Sequence, residues 1–189
     1  CNPYGERRTF TFADMKEGSD RAANFLRGLG IQKGDMVMVI LKRRYEFWFV
    51  LLALHKLGAV AIPATHLLTA KDIVYRNNAA GIKAIICVNE PAVVDAVNHS
   101  VPDSPTLSLR IVVGGQAPEG WVSYDQGVAA ASADFARPEG SQATENGDTS
   151  LLYFTSGTTG MPKMVTHNFL YPLGHIITAK YWHNCMDGG

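Results

Sequence analysis

The sequence predicts an α/β fold in which strands alternate with helices around a largely parallel sheet. Three observations carry this. Short apolar runs recur along the chain and are separated by segments with helical periodicity. Two of those helical segments open with the same capping pattern, Thr11-Phe12-Ala13-Asp14 and Thr69-Ala70-Lys71-Asp72. Glycines stand where the helical patterns stop, at Gly28, Gly30 and Gly58.

Thr9 to Phe12 reads as a short β-rich stretch. Thr11 then caps a helix whose residues Ala22, Phe25, Leu26 and Leu29 fall at i, i+3, i+4 and i+7, one apolar face. Lys33-Gly34-Asp35 is a turn, and Met36 to Leu41 a buried strand. Tyr45 to Leu57 is apolar nearly all round and predicts a helix covered on both sides, with Phe47, Trp48 and Phe49 in the core. Val60 to Pro63 is the next strand, and Thr69 opens a helix to about Ala80. Lys83 to Val88 and Leu109 to Val113 are strands flanking a helix over Pro91 to Ser100. Trp121 to Tyr124 is a short extended piece before a weak helix. Ala136 to Asp148 is rich in Gly, Ser, Thr and Glu and reads as a solvated connector. Ser150 to Phe154 is a strand, and a helix-like segment covers about Asn168 to Tyr181.

Bulk properties exclude several classes. Seventeen Lys and Arg balance seventeen Asp and Glu, giving a formal net charge of zero. A broad nucleic-acid surface is basic, so no nucleic-acid partner is expected. The three cysteines, Cys1, Cys87 and Cys185, are widely spaced and form no CxxC pair. They read as reduced thiols in a cytoplasmic protein, with Cys87 in the core. The apolar stretch Phe47 to Leu54 is broken by His55 and Lys56. A membrane span needs about 20 apolar residues, so none is expected. The opening residue Cys1 and the close at Asp187-Gly188-Gly189 read as the ends of a fragment. Nothing in the sequence specifies an oligomeric state.

The strand Ser150 to Phe154 runs into Thr155-Ser156-Gly157-Thr158-Thr159-Gly160-Met161-Pro162-Lys163. Ligands on parallel sheets bind at the carboxyl ends of strands, where this loop is expected. Glycines allow close backbone approach, and successive N–H groups there form an anion-binding concavity. Thr155, Ser156, Thr158 and Thr159 add hydroxyls, and Lys163 adds a mobile positive charge. A polyphosphate with Mg²⁺ is the natural guest. The spacing is not that of a Walker A loop, which requires G-x-x-x-x-G-K-[ST]. Gly28-Leu29-Gly30 with Gly34 imitates a dinucleotide fingerprint but precedes a strand instead of following one.

Tyr153 to Lys163 resembles the phosphate-loop signature of the adenylate-forming enzymes, which include acyl-CoA synthetases, luciferases and peptide-synthetase adenylation domains. Gly34 to Val39, Lys56-Leu57-Gly58-Ala59, Ile62 to Thr65, Thr69 to Arg76 and Pro162 to His167 resemble the acetyl- to medium-chain acyl-CoA synthetase branch. The resemblance runs from about Thr9 to the last residue. It implies that residues 1–189 are the first part of a large N-terminal AMP-binding domain. The rest of that domain and a mobile C-terminal domain would lie beyond Gly189. It further implies a ligase that joins a small carboxylic acid to CoA at the expense of ATP. Thr155, Ser156, Gly157, Thr158, Thr159, Gly160 and Lys163 would hold the β- and γ-phosphates, with Mg²⁺ bridging phosphate oxygens. No catalytic residue and no protein metal ligand falls within the chain on this reading, and the fragment alone is expected to be inactive. Two alternatives stay open: another adenylate-forming enzyme, or a non-catalytic nucleotide- or phosphate-binding module.

Other polar residues have bland readings beside functional ones. His167 caps or packs a helix start, or faces the nucleotide. Thr65 and His66 belong to a loop, or touch CoA. Lys42, Arg43 and Arg44 form a solvated loop, or attract CoA phosphates. Arg76 pairs with Asp72 at i+4. Trp182 packs locally, or lines an acyl pocket.

Overall fold

The computed structural model describes residues 7–156 and 160–183. In chain order the elements are α1 (Phe12–Gly28), β1 (Met36–Ile40), α2 (Glu46–Leu57), β2 (Val60–Pro63), α3 (Ala70–Ala80), β3 (Ala84–Val88) and α4 (Pro91–Ser100). There follow β4 (Leu109–Val113), β5 (Val122–Ser123), α5 (Tyr124–Ala130), β6 (Thr149–Thr155), β7 (Lys163–Asn168) and α6 (Tyr171–Tyr181). The strands form one seven-stranded sheet in the order β5-β4-β3-β1-β2-β6-β7. Every pairing is parallel except β6 with β7, which is antiparallel.

Helices cover both faces, as parallel strands require. Side chains alternate across each strand, so neighbours in sequence enter opposite cores. Val37, Val39, Ala84 and Ile86 join Ala22 and Leu26 of α1, Val50 and Leu54 of α2, and Tyr124 of α5. Met38, Ile40, Ile85 and Cys87 join Ile73 of α3 and Val93 and Val97 of α4. Burial pushes the Cys87 thiol up to about 12, so it is an inert packing group.

The local signals in the sequence act as expected at both capping boxes. Thr11 Oγ1 accepts from Asp14 N at 3.2 Å, and Thr11 N donates to Asp14 Oδ2 at 2.7 Å. The backbone and side-chain hydrogen bonds from Thr11 hold the Asp14 carboxyl below its usual range. Thr69 and Asp72 repeat the arrangement. Gly58 ends α2 and Gly81 ends α3, both left-handed, with φ of 69° and 62°. A buried carboxylate, Asp20 of α1, receives Lys56 of α2 at 2.7 Å and Lys16 at 2.8 Å, tying the two helices. Lys33 crosses to Asp148 at 2.8 Å and to the Ala143 carbonyl at 2.7 Å, which draws the polar connector back onto the domain.

Three expectations need correction. Thr9 to Phe12 forms no strand: Thr11 is consumed as the α1 cap, and Phe12 is the first helical residue. Trp48 is not in the core but 56% exposed. The inward stripe of α2 is Val50, Ala53, Leu54 and Leu57, and Trp48 lies on the opposite side with Leu52. Phe47 and Phe49 are half-buried. The segment from Asn168 is not all helix. Asn168 ends β7, and its Oδ1 accepts from Leu170 N at 3.1 Å before α6 begins at Tyr171.

Two predictions follow from packing. A Cβ on Gly127 would sit 2.0 Å from Phe25 Cε2. The Phe25 ring packs edge-on against Tyr124 at 6.0 Å and cannot swing away freely. Gly127→Ala therefore destabilises by about 1–3 kcal/mol, read by chemical denaturation; an unchanged midpoint contradicts the close packing of α5 on α1. Burial lowers the pKa of His55, whose ring meets Phe169 at 5.5 Å. The unfolded chain then binds the proton more readily. Stability from His55 is complete above about pH 6.5 and is lost as pH falls from there through the depressed folded value. The melting temperature of His55→Gln should decline less than that of the wild type between pH 7 and 5, and parallel declines would contradict this.

Candidate phosphate-binding site

Because β6 pairs with β2 in the parallel sense, Ala61 opposite Leu151, its carboxyl end lies on the same sheet edge as those of β1 to β5. The chain leaves that edge at Thr155 and Ser156, and it returns as the antiparallel strand β7 with Lys163 opposite Thr155. Thr155 and Lys163 thus face each other at the end of a hairpin whose first strand belongs to the parallel part of the sheet. Thr155, Ser156, Gly160 and Lys163 are exposed. Gly160 has φ of 110°, a backbone that L side chains rarely adopt. Gly157, Thr158 and Thr159 lie outside the described residues.

Both limbs of the loop are held from below. Tyr75 of α3 donates its hydroxyl hydrogen to the Pro162 carbonyl at 2.9 Å. The Arg76 guanidinium lies 5.2 Å above the Phe154 ring, and the Tyr75 ring meets Phe154 at 6.3 Å. The expected pair of Arg76 with the Asp72 carboxylate is only at 3.9 Å; its shorter bond is to the Asp72 carbonyl, at 2.9 Å. Sequence spacing shows neither the contacts of Tyr75 and Arg76 with Phe154 and Pro162 nor strand β7. The β-branched Val165 and Thr166 were the available signal for that strand.

Exposed hydroxyls, a glycine-bearing turn and an unburied ammonium at a strand's carboxyl end suit an anion. Among the described residues no carboxylate pairs with Lys163. The other basic cluster differs. Lys42, at φ 51°, pairs with Glu90, and Arg44 makes two hydrogen bonds of 2.6 and 3.1 Å to the buried Glu46. Of the three, Arg43 alone is exposed with no carboxylate partner among the described residues. Thr65 Oγ1 accepts from Leu67 N at 3.3 Å, a turn contact, and His66 is exposed. His167 lies on β7 and, as the bland reading expects, packs against a helix start. Its ring stacks 3.9 Å from Tyr171, so it packs the entry to α6. Trp182 is 82% exposed.

A cleft of about 550 Å³ is lined by Thr149, Thr166, His167, Asn168 and Tyr171. It sits at the opposite end of the β6–β7 hairpin from the loop, roughly 20 Å away at the rise of a strand. Its position separates it from the hydroxyls and Lys163, and the chemistry of the loop outweighs its concavity.

A profile of the AMP-binding enzyme family matches residues 2–187. The chain belongs to that family. Among curated relatives it is 36% identical over 183 residues to the mouse "Acyl-coenzyme A synthetase ACSM5, mitochondrial", covering 96% of this chain and 31% of the relative. It is 36% identical to human "Acyl-coenzyme A synthetase ACSM4, mitochondrial", covering 96% and 30%. The chain therefore spans about a third of the length of these relatives. The fold matches the anthranilate CoA ligase AuaEII in complex with anthranoyl-AMP, with a TM-score of 0.80, 26% identity, and coverage of 93% of this chain and 32% of that one. It also matches the N-terminal domain of FACL13 from Mycobacterium tuberculosis, with a TM-score of 0.69, 29% identity, and coverage of 85% and 37%. The largely parallel sheet is that of the N-terminal domain of adenylate-forming enzymes. Among the described residues no helix is long and apolar enough to cross a membrane.

Proposed function

We propose that the protein carrying this chain is an ATP-dependent acyl-CoA synthetase. A carboxylate oxygen attacks the α-phosphorus of ATP, the bond to the β-phosphate breaks, and pyrophosphate leaves. The CoA sulfur then attacks the acyl carbon, the bond to AMP breaks, and the thioester is released with AMP. Negative charge develops on phosphate oxygens in the first step, so positioned donors and cations are what the chain contributes. The observation that carries the reading is the exposed set Thr155, Ser156, Gly160 and Lys163 at the carboxyl end of β6, in a chain of the AMP-binding family.

In this proposal Thr155, Ser156, Gly157, Thr158, Thr159 and Gly160 cradle the β- and γ-phosphates, and Lys163 neutralises them. Mg²⁺ would accompany the nucleotide and offset the charge of its phosphates, with this chain supplying Lys163 and the hydroxyls beside them. A small carboxylic acid and CoA are the co-substrates. Residues 1–189 form the first part of the large N-terminal domain. Support comes from Leu173, Ile176, Ile177 and Tyr181 of α6, each 59–73% exposed, an apolar face suited to further packing. A reducing compartment suits the inert Cys87 thiol. The cytoplasm is the simplest such compartment, and a mitochondrial interior, as in the relatives' names, satisfies the same chemistry.

Carboxylate-dependent ATP–pyrophosphate exchange by the full-length protein is the direct assay. At least one acid from acetate to octanoate should support it, and exchange with none of them contradicts the proposal. Lys163→Ala should weaken triphosphate affinity about 10- to 100-fold, the range for a charge-assisted contact, and AMP affinity about twofold or less. Equal losses for ATP and AMP would reject the placement of Lys163 beyond the α-phosphate.

A further inference from the structure

Adjacent residues of α3 grip both limbs of the phosphate loop. Phe154, two residues before Ser156, lies beneath the Arg76 guanidinium and against the Tyr75 ring. Pro162, one residue before Lys163, receives the Tyr75 hydroxyl at 2.9 Å across 87 residues of chain. The helix that makes these contacts is itself fixed. Thr69 and Asp72 cap its start, and Ile73 is buried in the core. Asn77 donates from Nδ2 to Ser104 Oγ at 2.9 Å in a buried bond.

The proline ring already sets φ at residue 162. Fixing the direction of its carbonyl then fixes ψ, the last free backbone rotation before Lys163. Backbone held this way at Pro162 loses less conformational entropy when Lys163 meets a ligand.

We propose that Tyr75 is a positioning residue for the phosphate loop: its hydroxyl holds the Pro162 carbonyl and so pre-orients Lys163 toward the triphosphate. The inference rests on reading residues 155–163 as the triphosphate loop. It adds a specific device on a helix distant in sequence, acting on the loop through the Pro162 carbonyl.

Tyr75→Phe in the full-length protein isolates the hydroxyl, because the ring and its contact with Phe154 remain. A packing role alone predicts no change. Two readouts are needed. Without nucleotide, hydrogen–deuterium exchange in a peptide covering residues 160–168 should rise about three- to tenfold, the scale of one lost hydrogen bond, while peptides of α1 and β1 exchange as in the wild type. With nucleotide, the KM for ATP should rise by a similar factor, while kcat and the KM for the carboxylate change less than about twofold. Unchanged exchange overturns the brace. Faster exchange with an unchanged KM for ATP overturns its role in binding. A fall in kcat alone does the same. Lys163→Ala measured alongside separates the two readings. If that variant binds triphosphate normally, the phosphate assignment itself fails; if it binds weakly while Tyr75→Phe is silent, only the role of Tyr75 fails.

Discussion

The parallel ladder between β2 and β6 fixes the geometry on which the rest depends, because strand direction decides the edge at which the 155–163 loop emerges. With Ala61 beside Leu151 and both strands running the same way, the loop opens at the carboxyl edge shared by β1 to β5. An antiparallel β6 would carry the same residues to the opposite edge, away from α3. The ladder is stabilised from both faces. Leu151 enters the core beneath α1 and α2, and its neighbour Leu152 enters the core beneath α3 and α4. Burying each such side chain contributes about 1.5–3 kcal/mol relative to exposure. The same alternation that buries these leucines thus holds the loop at its edge.

The path of the chain adds a second constraint. β2 leads through the exposed turn at Thr65 and His66 into α3, so this helix starts at the same edge and runs back beneath it. Its first two turns are where side chains can reach the neighbouring strand β6. Tyr75 and Arg76 stand there. The capping box at Thr69 and Asp72 fixes where the helix begins, and hence which residues face the loop. A local hydrogen-bond motif at residue 69 therefore has a consequence at residue 162.

Much of this was legible in the sequence, for physical reasons. Capping boxes are local, so Thr11 with Asp14 and Thr69 with Asp72 were readable from spacing alone. Strands covered on both faces appear as continuous apolar runs, and Met36–Ile40 and Ala84–Val88 are such runs. The loop stands out because glycines, hydroxyls and a lysine cluster directly after an apolar strand and match a family signature. What was missed depends on neighbours. Strand β7 is exposed along most of its length, so Lys163 to Asn168 carries little burial pattern. Trp48 looked like core because α2 is apolar all round, and only the inward stripe of Val50, Ala53, Leu54 and Leu57 shows which side is covered. The Tyr75–Pro162 bond joins residues 87 apart and leaves no local trace. Nor does spacing show that Lys42 and Arg44 meet Glu90 and Glu46, which leaves that basic cluster largely neutralised.

The central claim is that residues 155–163 bind the distal phosphates of ATP. A crystal structure of the full-length protein with a non-hydrolysable ATP analogue and Mg²⁺ tests it most directly. The account predicts the β- and γ-phosphates within the loop, accepting from its backbone N–H groups and hydroxyls, with Lys163 Nζ within about 3 Å of a phosphate oxygen. An analogue bound with its triphosphate at any other strand end, and the loop clear of it, would contradict the account.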